Sequence, residues 1–170
     1  MEIRVRDAVA GDVAAMTTIH NALLETTTIE WTDDAHTVEE RLAWQRSQQA
    51  VGRPVLVAVD GDQLIGWASY GDFRDSHRWP GYRFTVEHSV HVDQRWWGRG
   101  AGRALLLALM DRARAAGAHV MVAGIDGDNT ESIVFHERLG FQTVGRLHEI
   151  GRKHDRWLDL VLMQRSLDQR

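Results

Sequence analysis

The 170-residue sequence contains no cysteine and only two prolines. Without cysteine, the chain has no disulfide bond, no thiolate nucleophile and no cysteine-based metal site. No apolar run approaches the roughly 20 residues that a membrane-spanning helix requires. The first residues, MEIRVRDA, do not resemble a signal peptide. These absences predict a soluble protein, with the cytoplasm as its expected location.

Two nucleotide-binding motifs are also missing. The sequence contains no GxxxxGK[ST], which excludes a Walker loop. The glycines at positions 98, 100 and 102 do not fit G-x-G-x-x-G in register. A Rossmann site also requires an acidic residue at a strand end about 20 residues later, and Asp126 and Asp128, which lie near that distance, are expected in a strand-to-helix loop instead. The formal net charge of −4 and the pI near 6.1 argue against nucleic-acid and membrane-surface partners.

Metal binding is not predicted either. The chain has nine histidines, but none of their spacings matches a zinc motif such as HExxH. The length corresponds to a single domain over residues 1–170, which is large enough to bury a sizeable core.

The segment from Phe84 to Ala116 combines three elements. Valines among polar residues predict a strand, and glycines at every second position from Gly98 to Gly102 predict a turn. The leucines that follow recur with helical spacing. A glycine turn before a helix can present backbone N–H groups to a pyrophosphate, although it can also be a plain connector.

The rest of the chain predicts an alternation of strands and helices. We expect strands at 3–6, 54–59, 63–70, 82–92, 119–125, 141–150 and 157–167, and helices at 12–24, 37–49, 103–116 and 130–139. Thr37 opens a capping-box pattern, Asn129 is a suitable helix cap, and Gly140 is a helix-ending glycine. Residues 71–81 are expected to form an irregular loop. Its charged and aromatic side chains fit three roles that the sequence leaves open: a recognition loop, a dimer contact or a solvated surface.

Two segments together resemble the GCN5-related N-acetyltransferase (GNAT) superfamily: the glycine turn after the fourth strand, and the helix that starts at Asn129 and ends before Gly140-Phe141. More narrowly, the chain looks like the phosphinothricin and methionine sulfoximine acetyltransferase branch of this superfamily. That likeness is carried by the second of those segments together with TTTIEW, YGDFR, GYRFTVEHSVHV, HVMVAGI and GRKHDRWLDL. The resemblance implies a single α/β domain with a mixed sheet of about seven strands and about four helices. It also implies acetyl-CoA as cosubstrate, a small amino-acid-like acceptor and a homodimer.

The resemblance assigns the cofactor site to the fourth strand, the turn and the next cap. The expected residues are Val90, His91, Val92, Arg99, Gly100, Ala101, Gly102, Arg103, Ala104 and Asn129. Residues 95–100 fit the family's turn pattern literally, but that register would begin the helix two residues early. The family's turn is placed on residues 97–102, which puts Trp97 where the family has Gln or Arg. Backbone N–H groups of residues 99–104 are expected to hold the phosphates, so the loss of that side chain need not abolish binding.

Glu87 and His136 are the catalytic candidates. A base with a pKa near neutrality suits removal of the amine proton, and imidazole can act as acid or base. The resemblance places both residues at family positions, but a surface carboxylate and a structural histidine are the alternatives. The expected substrate contacts are Trp31, Phe73, Arg74, Tyr82 and His88, although a tryptophan in a loop such as that of Trp31 more often covers the core. Acetylation of a protein N-terminus or another amine, and acyl-CoA binding without catalysis, stay open as other functions.

Overall fold

The computed structural model describes residues 2–168, which fold around one seven-stranded sheet. The strands are β1 (Ile3–Asp7), β2 (Val55–Asp60), β3 (Gln63–Asp72), β4 (Thr85–Val92), β5 (Val120–Asp126), β6 (Gln142–Lys153) and β7 (Arg156–Ser166). Their order across the sheet is β1-β2-β3-β4-β5-β7-β6. Only β4 and β5 are parallel, so the sheet is mixed, as predicted.

Four α-helices flank the sheet: α1 (Val13–Thr26), α2 (Val38–Ala50), α3 (Ala101–Ala115) and α4 (Thr130–Arg138). The inward stripe of α3, which includes Leu105 and Leu109, is completely buried in the larger core cluster. A second cluster packs Met16 of α1 and Trp67 of β3 against the valines of β2. The two clusters lie on opposite faces of the sheet, because alternate residues of β2 and β3 belong to different clusters. Among residues 2–168, no helix combines the length and apolarity needed to cross a bilayer.

Local sequence signals account for several helix ends. The Thr37 hydroxyl accepts the Glu40 N–H at 3.2 Å while the Glu40 carboxylate accepts the Thr37 N–H at 2.8 Å, which completes the predicted capping box. The Asn129 side chain accepts the Ser132 N–H and caps α4. Gly140 follows α4 with φ +81°, a conformation that favours glycine at a helix end.

Several predicted boundaries differ from the structure by two or three residues. The fourth strand was expected from residue 82, but residues 80–82 form a 3-10 turn and β4 begins at Thr85. The sixth strand continues to Lys153 rather than ending at 150, so the turn shrinks to His154 and Asp155, both with positive φ. A third helix was expected from 103 but begins at Ala101, directly after Gly100.

The pairing of β4 with β5 is short. It covers three register pairs and ends where Glu87 lies beside Val122. β4 nevertheless stays paired with β3 as far as Val92, and β5 stays paired with β7 as far as Asp126. The two central strands therefore separate after Glu87 and leave a gap in the middle of the sheet.

Candidate active site

A cavity of about 530 Å³ lies at the gap between β4 and β5. Residues 87–91 line it from β4, and Ala123 and Gly124 line it from β5. The connection between α1 and α2, with Thr27, Ile29 and Glu30, closes it on one face of the sheet, while Ser132 and His136 of α4 contribute from the other. The cavity thus passes through the sheet, which lets two molecules approach each other from opposite faces.

Glu87 occupies the point where the strands separate. On β4 it shares a face of the sheet with Ser89 and His91, since side chains alternate along a strand. A Cβ atom placed on Gly124 would lie 3.2 Å from Glu87 Oε1, so the carboxylate reaches across the gap to β5. Burial raises the pKa of Glu87 above its ordinary value. Glu87 therefore combines a position in the cavity with the basicity that proton abstraction requires.

His136 is buried on α4 and bonded through both ring nitrogens. Its Nδ1 lies 2.7 Å from the Ser132 carbonyl oxygen, which can only accept, so Nδ1 carries the proton. Its Nε2 lies 3.1 Å from Nε2 of His88, and the two rings stack with centroids 5.1 Å apart. In the neutral pair, His88 therefore donates its Nε2–H to His136, and Nδ1 of His88 is left as a buried atom without a partner.

Both rings of this pair favour the neutral form. Burial, aided by the neighbouring imidazoles of His136 and His91, lowers the pKa of His88 to about 3. Burial also lowers the pKa of His136, although the hydrogen bond to the Ser132 carbonyl opposes it. A neutral His136 has no proton on Nε2 to release into the cavity. The geometry thus separates the two catalytic candidates, with Glu87 suited to accept a proton and His136 suited to hold His88.

The glycine turn leads directly into α3. Gly100 has φ +93°, a conformation that side chains rarely adopt, and α3 begins at Ala101. No described atom lies within 4 Å of a Cβ placed on Gly98 or Gly100, so the surface above the turn is open. Two of the expected phosphate donors are already engaged, because the Arg99 N–H donates to the Trp96 carbonyl at 3.4 Å and the Ala104 N–H donates to the Gly100 carbonyl at 3.0 Å. The amides of residues 100–103 precede that first helical bond and remain available to an anion such as a diphosphate.

Trp97 forms the wall beside this turn. Its indole Nε1–H donates to the Val92 carbonyl at 2.8 Å, and the ring lines the cavity. The indole therefore ties the end of β4 to the turn and leaves the backbone amides as the phosphate donors. The residues present fit an acyl-CoA without a Gln or Arg side chain at position 97.

Comparison with known proteins identifies the family. The model of the acetyltransferase (GNAT) family matches residues 16–141. The chain belongs to the GNAT family. An L-methionine sulfoximine/L-methionine sulfone acetyltransferase from Salmonella typhimurium is 45% identical over 166 residues, which are 97% of this chain and 95% of the relative. A phosphinothricin N-acetyltransferase from Streptomyces coelicolor is 34% identical and covered to 97%, over 98% of this chain.

A solved structure supports the same conclusion. The acetyltransferase yncA from Salmonella typhimurium, determined with acetyl-CoA, superimposes with a TM-score of 0.94 at 43% identity and covers 99% of this chain and 95% of its own. The predicted family, the single-sheet α/β fold and the class of enzyme, an N-acetyltransferase, are thereby confirmed.

In this GNAT chain, the predicted site residues divide into two groups. The cavity brings together the expected Glu87, His88, His136, Val90, His91 and Asn129. The expected Arg99, Gly100, Ala101, Gly102, Arg103 and Ala104 form the turn and the first turn of α3 beside it, and Val92 ends β4.

Four expected substrate contacts lie outside the cavity lining. Phe73, Arg74 and Tyr82 contact one another, with the Arg74 guanidinium carbon 5.8 Å and 5.4 Å from the two ring centroids. Arg74 and Tyr82 are exposed. Trp31 instead packs on Gly151 of β6, where any Cβ would lie 2.0 Å from its ring. Trp31 thus anchors the α1–α2 connection on the edge strand β6, rather than in either of the two core clusters.

Sequence reasoning missed two residues of the cavity wall, Glu30 and Arg41. Glu30 accepts from His20 Nε2 at 3.1 Å and from His91 Nε2 at 2.9 Å. The donor atoms of these three residues lie within 4.8 Å of one another, an arrangement that could hold a divalent ion. The spacing of the histidines could not reveal it, because the residues come from three separate elements. Arg41 of α2 is the other missed residue, and no motif singled it out.

Proposed function

We propose that this GNAT enzyme transfers the acetyl group of acetyl-CoA to the α-amino group of a small amino-acid-like acceptor. The observation that carries the proposal is Glu87, a carboxylate with a raised pKa at the point where the gap opens. The relatives named for methionine sulfoximine, methionine sulfone and phosphinothricin support the acceptor class.

Glu87 acts as the base in this proposal. The amine nitrogen forms the new bond to the acetyl carbon as the bond from that carbon to the CoA sulfur breaks. Glu87 takes the proton that the nitrogen releases, and the departing thiolate needs one proton. The two requirements balance, so a protonated Glu87 can return that proton to the sulfur. When bound, acetyl-CoA supplies the reactive thioester carbonyl.

The glycine turn and the histidine pair complete the arrangement. Amides of residues 100–103 at the positive end of the α3 dipole hold the diphosphate. His136 keeps the His88 ring against the cavity wall through the 3.1 Å hydrogen bond. We therefore assign His136 a positioning role and Glu87 the catalytic one.

Substitution of the two candidates tests the assignment. We expect Glu87→Gln to lower kcat by about 10²–10⁴-fold, the usual contribution of a general base, with little change in the KM for acetyl-CoA. Glu137→Gln changes an exposed carboxylate of α4 and is the matched control. We expect His136→Phe to lower kcat by less than Glu87→Gln does. Release of CoA thiol in the presence of methionine sulfone measures each rate, and wild-type turnover in both variants would show the assignment to be wrong.

A homodimer is part of the proposal. β6 is an edge strand that is exposed along nearly its whole length, and its large apolar side chains include Val144, Leu147 and Ile150. Trp157 of β7 is 62% exposed. Exposed apolar groups at an unpaired sheet edge favour association with a second copy. Sedimentation equilibrium, with Ile150→Glu as the disruptive variant, measures the assembly state. The cytoplasmic location stays a prediction from the sequence.

A further inference from the structure

Arg41 is a buried cation in the wall of the proposed acceptor site. It lies in the first turn of α2, is 6% exposed and lines the cavity. Its guanidinium carbon lies 5.0 Å from the Trp44 ring centroid and 4.8 Å from the Trp67 ring centroid. The two indoles fix the guanidinium in place by cation–π contact. The position is therefore rigid, and this side chain cannot swing out to solvent at low cost.

No anion of the protein pairs with this cation. Nε and Nη2 of Arg41 are buried without a hydrogen-bond partner, and within residues 2–168 Arg41 takes part in no ion pair. The neighbouring indole N–H of Trp67 is also buried without a partner. Burying such donors unpaired is unfavourable, because their hydration is lost and nothing replaces it. Three unpaired donor atoms on two residues beside one cavity indicate a ligand group that accepts hydrogen bonds.

The register of the sheet locates this group relative to the reacting amine. Trp67 pairs with His91, and Glu87 lies four residues away on the same strand and the same face. At about 3.3 Å per residue, the Cα atoms of Glu87 and His91 are roughly 13 Å apart along β4. An α-carboxylate is separated from its amine by only two bonds. The group that meets Arg41 is therefore at the far end of the acceptor side chain.

The charge of Glu30 restricts that group further. The Glu30 carboxylate also lines the cavity, and its negative charge acts on Arg41 without a direct ion pair. Its two oxygens lie 3.1 Å from Nε2 of His20 and 2.9 Å from Nε2 of His91 and accept a hydrogen bond from each, as an ionised carboxylate does. Glu30 thus stays ionised and offsets the charge of Arg41. A neutral group that carries oxygen can accept hydrogen bonds from Arg41 and Trp67 without being repelled by Glu30.

We propose that Arg41 and Trp67 form a subsite for the neutral sulfone or sulfoximine end of an acceptor side chain, and that Glu30 disfavours acceptors with an anionic end. The inference rests on the proposed function and adds a determinant of specificity to it. It assigns Arg41 and Trp67 to substrate binding and Glu30 to discrimination.

Substitution of Arg41 tests the subsite. We expect Arg41→Gln to lower kcat/KM for L-methionine sulfone by about 10–100-fold, the effect of losing a charged hydrogen bond, mainly through KM. L-norleucine has no oxygen at its side-chain end, so its kcat/KM, or its inhibition constant against methionine sulfone, should change less than about threefold. Arg46→Gln on the exposed side of the same helix is the matched control. Trp67→Phe replaces the indole by a smaller aromatic ring without the N–H, and it should act in the same direction if Arg41→Gln fails to fold.

Substitution of Glu30 tests the discrimination. We expect Glu30→Gln to raise kcat/KM for phosphinothricin relative to methionine sulfone by about tenfold, since one repulsive charge is removed. Glu25→Gln, at an exposed position of α1, is the control and should leave the ratio unchanged. Equal losses on methionine sulfone and norleucine in Arg41→Gln, or an unchanged ratio in Glu30→Gln, would overturn the inference while leaving the proposed function intact. A wild-type enzyme that acetylates none of these acceptors would overturn both.

Discussion

The neutral histidine pair makes the stability of the enzyme depend on pH. His88 has a folded-state pKa of about 3, because it is buried beside two other imidazoles. In the unfolded chain it titrates near 6.5. Between these values the unfolded state binds a proton that the folded state does not. The stabilising contribution is therefore complete above pH 6.5 and is lost as pH falls towards 3.

The size of the effect follows from the two pKa values. At about 1.36 kcal/mol per pH unit, lowering the pH from 6.5 to 5 removes roughly 2 kcal/mol of the free energy of unfolding through His88 alone. This loss of stability depends on the pKa of His88 in the unfolded state, and it is the same for any folded-state pKa well below 5. The side chain is only 9% exposed, so solvent screening reduces it little.

His88→Gln isolates this contribution. The glutamine amide can still donate to Nε2 of His136 but does not titrate. Urea unfolding at pH 7 and pH 5 gives the loss of stability for each protein, and we expect the wild type to lose about 2 kcal/mol more than the variant. His148→Gln, a change at a histidine that is exposed on β6, is the control and should lose as much as the wild type. Equal losses in wild type and His88→Gln would refute a neutral, buried His88.

Three further outcomes are expected. Gly124→Ala places a Cβ 3.2 Å from Glu87 Oε1 and 3.3 Å from Leu160 Cδ1, so both side chains must shift, and we expect displacement of the base to lower kcat about tenfold. Gly145→Ala adds a Cβ in open space and should leave kcat unchanged. An unchanged kcat in Gly124→Ala would contradict the reach of Glu87 across the gap. Lys153→Met removes the ammonium that donates to the Leu24 and Glu30 carbonyls at 2.8 and 2.7 Å, and the free energy of unfolding in urea should fall by about 2 kcal/mol. Because burial raises the pKa of Glu87, a plot of log(kcat/KM) against pH should bend at a pH above 4.5, with a steeper rise on the acid side of the bend. Glu87→Gln should lack this bend.

Features that depend on neighbours in the chain could be predicted from the sequence. The capping box at Thr37, the cap at Asn129 and the glycine after α4 each involve hydrogen bonds or dihedral angles within three or four residues. The glycine turn belongs to the same class, and with the family resemblance it located the proposed cofactor site. The resemblance also supplied Glu87 and His136, which periodicity alone could not distinguish from ordinary strand and helix residues.

Features that depend on distant segments could not be predicted in this way. The ends of β6 were wrong because Lys153 is fixed by carbonyls 129 and 123 residues away, which no local pattern records. Arg41 resembles any polar helix residue in the sequence, and only the packing of two tryptophans shows that it is buried. Arg74 was expected at the substrate from the family resemblance, and in the structure its guanidinium lies against Phe73 and Tyr82, outside the cavity lining.

Lys153 is the single lysine of the chain, and its ammonium is enclosed between β6 and the α1–α2 connection. The surface therefore carries arginine as its only permanently cationic side chain, and arginine does not react with thioesters under mild conditions. An enzyme proposed to handle activated acetyl groups thus offers them no lysine of its own to acylate by accident. The rate at which an amine-reactive dye labels Lys153 would therefore measure how often the α1–α2 connection moves away and opens the cavity.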